Sequence, residues 1–130
     1  MNHARRYQAV AQTTASKERL MVLLMQKAHT AMGQAAEALA TADDAGAKKR
    51  ADDALQKAMD IVVELLSTLD PNASAAVCDT LSNVYSFVLL RLLQAQRGRN
   101  PNDATAAARA FHPIVQAFEE AVAQVSHASR

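Results

Sequence analysis

The chain reads as an all-α protein, and three observations carry that reading. Alanine, leucine, glutamine, lysine and arginine are frequent, and these residues lose least on entering a helix. Glycine and proline are held to three each, so long segments carry no breaker. Apolar residues return every three or four positions, and no alternating β-branched run competes with them. The predicted fold is an antiparallel up-down-up-down four-helix bundle. A loose N-terminal arm precedes it at residues 1–15, the bundle covers 16–126, and one domain accounts for 1–130.

The first helix is expected from about Ser16 to Ala42. Ser16 can accept a hydrogen bond from a free backbone N–H, and Glu18 complements the dipole of the first turn. Leu20, Leu24, Ala28, Ala31, Ala35 and Leu39 share one face, flanked by Met21, Met25 and Met32. Asp43, Asp44 and Gly46 interrupt the pattern. The second helix follows from about Ala47 to Thr68, with Ala51, Leu55, Ala58, Val62, Leu66 and Leu69 inward. Asp70-Pro71 stops it, because the residue before proline is pushed away from helix.

The third helix spans about Ser74 to Gln96, with Val77, Leu81, Val84, Tyr85, Val88, Leu92 and Ala95 inward. Gly98 is its expected stop. Asn100, Pro101 and Asp103 then read as N-cap, first helical residue and acidic first turn. The fourth helix runs to about Ser126, with Phe111, Ile114, Val115, Phe118, Val122 and Val125 inward. Pro113 lacks the N–H that would bond back to Arg109, which predicts a kink or a break there.

Composition removes several functions. The net charge is +1 with both signs mixed along the chain, so no basic face suggests nucleic acid. No uninterrupted apolar run is long enough to span a bilayer, and no apolar segment follows Arg5 and Arg6 to form a secretory signal. A cytoplasmic protein without membrane insertion is expected. The single cysteine, Cys78, has no internal disulfide partner and reads as a small core residue. His3, His29, His112 and His127 are scattered, and no Glu-x-x-His pair builds a carboxylate-bridged metal site. No serine, aspartate and histidine arrangement suggests nucleophilic catalysis. The expectation is a protein with no catalytic residue, metal or cofactor.

Surfaces then carry the functional reading. On a helical wheel, Phe87, Leu90 and Leu93 fall outside the arc centred on Val88, and Ile61 and Leu65 sit on one flank of the second helix. One interpretation is a groove of Ile61, Leu65, Phe87 and Leu90 that accepts an amphipathic peptide. The other buries these residues against neighbouring helices or a second copy in a homodimer. Tyr7 and Val10 are the apolar points of the arm and are candidates to cover the groove. His29 is expected to be solvated. The string Ala28-His29-Thr30-Ala31-Met32-Gly33 resembles the phosphoaccepting helix of histidine phosphotransfer domains. That family places a lysine where this chain has Met32, and Met32 supplies no positive charge for a phosphoryl group.

The order of motifs resembles the flagellar secretion chaperones of the FliS family. Tyr7 precedes Thr14-Ala15-Ser16-Lys17-Glu18-Arg19-Leu20, similar to the family's tyrosine and Thr-Ala-Ser-Pro with acidic residue and leucine. Lys57, Ala58, Ile61, Val62, Glu64, Leu65, Thr68, Leu69 and Asp70 match in the second helix. Val84-Tyr85-Ser86-Phe87, Arg91-Leu92 and Ala95 resemble the third, and Phe118 stands where the family has tryptophan. The chain departs from the pattern at Lys17, at Leu24-Met25-Gln26-Lys27-Ala28 and at Ser86. The resemblance implies a non-catalytic bundle that holds the disordered C-terminal segment of flagellin and presents it to the flagellar export machinery. It implies no cofactor. The surplus apolar positions and the apolar points of the arm, Tyr7, Val10, Ile61, Leu65, Phe87 and Leu90, are the expected contact residues.

Overall fold

The computed structural model describes the backbone of residues 2–41 and 44–128 and the side chains of 16–41 and 44–124. Four helices follow in order: α1 (Asn2–Ala40), α2 (Ala45–Ser67), α3 (Ala75–Gly98) and α4 (Pro101–Ala128). No strand occurs among the described residues. α1 packs on α2 and α4, and α3 packs on the same two, so the four helices enclose one core.

The caps explain where the helices begin. Asp44 accepts from the Ala47 N–H at 2.6 Å and so opens α2. Ser74 accepts from the Val77 N–H at 3.4 Å and opens α3. Asn100 Oδ1 accepts from the Asn102 N–H at 2.9 Å, Pro101 takes the first helical position, and Asp103 sits in the first turn. Between α2 and α3, Asp70 Oδ1 accepts from the Asn72 N–H at 3.0 Å, so the chain turns around Pro71.

Three local expectations are corrected. The N-terminal arm is not loose coil: residues 2–15 are helical and continue α1 without interruption. Of the two alternatives at Pro113, a kink or a break, the break does not occur, because α4 runs through that position. The stop of α3 is displaced by one residue. Gly98 is its last helical residue, and Arg99 takes the left-handed conformation with φ 53° and ψ 33°. Arg99 holds that unfavourable geometry while its guanidinium reaches Asp52 of α2.

The core is built from small residues as much as from large ones. Ala28, Ala31, Ala35, Ala51, Ala58, Ala95, Ala104 and Ala107 are fully or almost fully buried. Tyr85, Phe111, Met25, Met32, Leu55, Leu92, Val62 and Val88 fill the larger spaces between them. Tyr85 and Phe111 bring α3 against α4 with ring centres 6.2 Å apart. The inward face of α1 is rotated from the expected one. Met25 and Met32 are fully buried, whereas Leu20 and Leu24 are exposed. Val77, expected inward on α3, is exposed as well, and Val125 lies outside the described side chains.

α3 is long and apolar enough, by length and composition, to cross a membrane. It carries Asp79 and Arg91, and its Leu81, Tyr85, Val88, Leu92 and Ala95 are buried in the bundle. Its surplus of apolar residues lies on the outer surface.

Arg91 and Asp103 tie α3 to α4 at 3.2 Å, with both side chains largely removed from water. The Arg91 Nε is buried without a hydrogen-bond partner, so the guanidinium depends on the Asp103 carboxylate. Asp103→Ala should cost about 2 kcal/mol, since it strands a half-buried charge and removes an acid from the start of α4. The change in urea midpoint at constant slope measures it. Equal midpoints for the variant and the parent would show that water replaces the carboxylate.

Candidate functional site

The described surface presents large apolar side chains that a bundle core does not need. Leu20, Leu23 and Leu24 are exposed on α1, Val63 on α2, and Val77, Phe87, Leu90 and Leu93 on α3. They form distinct strips. Leu20, Leu23 and Leu24 share a shallow cleft with Lys27 of α1 and Lys57 of α2. Phe87, Leu90 and Leu93 lie on the outer side of α3, opposite its buried face. A further cleft, mostly apolar, forms where Met21 and Phe118 meet the α2–α3 turn. Leu69, Val77, Cys78, Leu81 and Tyr85 also line it.

The predicted contact residues separate on this surface. Phe87 is 46% and Leu90 54% exposed, as a docking face requires. Ile61 is half-buried and packs on the core. It follows Lys57 by one helical turn, so it lies on the α1 side of α2, toward the leucine cleft. Leu65 is only 3% exposed and is a core side chain rather than a groove wall. The single groove of Ile61, Leu65, Phe87 and Leu90 is therefore replaced by separate strips. The Tyr7 and Val10 side chains lie outside the described residues, while their backbone is helical. The wheel missed Leu20 and Leu24 as surface residues because it gave leucine the inward positions that methionine occupies.

Arg91 also lies 6.0 Å from the Phe87 ring centre, which places its cation beside an exposed aromatic. Cys78 is half-buried at the edge of the mostly apolar cleft, not fully enclosed in the core.

Tyr85 is 2% exposed, and burial pushes its phenol up to about 12. The folded value lies above the unfolded value of about 10. The stability linked to this group is thus fully present below pH 10 and is lost as pH climbs toward 12. The loss should reach about 2–3 kcal/mol. Thermal melts at alkaline pH check this: Tyr85→Phe should flatten the decline over that interval.

His29 is not the solvated histidine expected. It is half-buried, and its ring centre lies 5.0 Å from that of His112 on α4. Burial pushes His29 below its ordinary value and the His112 ring acts in the same direction, while a hydrogen bond to the Ala108 backbone and the charge of Glu119 oppose them. Met32, in the place of the phosphotransfer lysine, is fully buried. The position that would steady a phosphoryl group thus faces the core. No group of three or more histidine, cysteine, aspartate or glutamate side chains gathers in metal-binding geometry among the described residues.

No curated protein matches the chain. The sequence profile of the family described as "Flagellar protein FliS" matches residues 1–125. That span covers every helix of the bundle up to the last turn of α4. The match over nearly the whole chain and the four-helix architecture agree: the chain belongs to the FliS family of flagellar chaperones, a family not known for enzyme activity.

Proposed function

We propose that this protein is a cytoplasmic export chaperone for the C-terminal segment of flagellin. It keeps the segment from polymerising and delivers it to the flagellar type III secretion apparatus. The observation that carries the reading is the separation of the exposed apolar strips on α1 and α3. A compact ligand would fill one pocket. An extended amphipathic segment can wrap the bundle and reach both strips, folding into short helices as it binds. Ordering such a segment costs several kcal/mol, and the leucines on α1 with Phe87, Leu90 and Leu93 offer apolar area to offset that cost. Tyr7 and Val10, on the first turns of α1, are proposed to complete the contact.

Calorimetric titration with the C-terminal flagellin segment tests the proposal. The expected result is saturable one-to-one binding with a negative heat-capacity change. A folded protein that shows no binding would sink the flagellin assignment. Sedimentation as a tight dimer, with α3 buried between copies, would explain the same apolar surface in another way.

A further inference from the structure

We propose that His29 and His112 form a two-histidine site for a divalent late-transition ion, zinc among them, that links α1 to α4. This does not depend on the chaperone reading. The sequence places the two residues far apart, and the fold brings their rings to a 5.0 Å centre-to-centre distance with a 34° tilt. Two imidazoles bound to one ion through bonds of about 2.1 Å, at an angle near tetrahedral, hold their ring centres about 5 Å apart. The observed spacing is compatible with that of a ligand pair.

Two features around the rings favour a cation. Glu119 contributes negative charge at His29. Gly33 lies one turn along α1 from His29, and even an added Cβ there would meet nothing within 4 Å, so water has room to complete the coordination. Imidazole donors suit zinc, copper and nickel over magnesium or calcium. With two protein ligands the ion keeps open positions, and its effect is to fasten the seam between the first and last helices.

The test uses the untagged full chain, stripped with chelator and titrated with zinc chloride at pH 7.5. One zinc per chain should bind, and the melting temperature should rise with zinc concentration, because the ion binds the folded state. His112 is exposed, so His112→Ala should leave the fold intact. It should weaken zinc binding by roughly tenfold or more and abolish the rise in melting temperature. His29→Ala, checked for helicity, should do the same. A His3→Ala/His127→Ala variant should bind like the parent. No binding to the parent, unchanged binding to His112→Ala, or loss of binding in the terminal-histidine variant would each overturn the site.

Discussion

Phe111→Ala is expected to lower stability by about 3–5 kcal/mol, the range for truncating a buried aromatic. Phe111 is fully buried and supports Tyr85 from the facing helix, so its loss opens a void between α3 and α4. The helices around it are long and rigid, and a cavity bounded by helical backbone collapses poorly. A domain of this size has about 5–15 kcal/mol in total, so the variant should retain only a fraction of that margin. Its melting temperature should fall by roughly 10–20 °C. A fall of only a few degrees would mean that neighbouring methionines, Met25 or Met32, refill the space.

The second large effect concerns binding. Leu20→Asp combined with Leu90→Asp should weaken the proposed capture of the flagellin segment by roughly a hundredfold or more. Each change asks a carboxylate to lose water against an apolar ligand, and every 1.4 kcal/mol of that cost is about a factor of ten. Leu20 is 59% exposed, so neither change touches the core, and the melt should move little. The single variants locate the ligand. Loss in Leu90→Asp alone confines binding to α3, and a deficit in both extends it across the bundle. Normal affinity in the double variant would remove both strips from the contact. Ile61→Asp is less clean, because Ile61 is packed on the core and would report stability along with binding.

The helices were legible because the chemistry that makes them is local. Asp44, Ser74 and Asn100 cap by reaching two or three residues ahead, and Pro71 blocks helix at its own position. The buried set of α2 and α3 followed from spacing: Ala51, Leu55, Ala58, Val62, Leu81, Tyr85, Val88 and Leu92 lie inside as expected. α1 was harder. Its alanines and methionines spread apolar character around much of the wheel, so the orientation depended on which partner helix met it. A leucine is more hydrophobic than a methionine, yet Met25 fits the gap and Leu24 is left outside.

The candidate surface was legible as an excess and not as a shape. Phe87, Leu90 and Leu93 stood out because three apolar residues fell on the wrong side of one helix. Whether Ile61 joined them depended on which flank of α2 faces α1, and only tertiary packing decides that. The pairing of His29 with His112 gave no sequence signal, because the spacing that joins them is set by α1 lying against α4. The left-handed Arg99 was hidden for a related reason. Glycine would satisfy the backbone there, but it would lose the contact that Arg99 makes with Asp52.

The alanines that fill so much of the interior set an upper limit on side-chain size. In a core of leucines, drift is punished when atoms are lost. Here Ala28, Ala31, Ala35, Ala51 and Ala58 have no accessible surface to spare, and each added methylene must displace packed neighbours. The inherited freedom of this chain therefore lies outward. Its external leucines can be exchanged without disturbing the core, while its smallest internal residues are the ones least open to change.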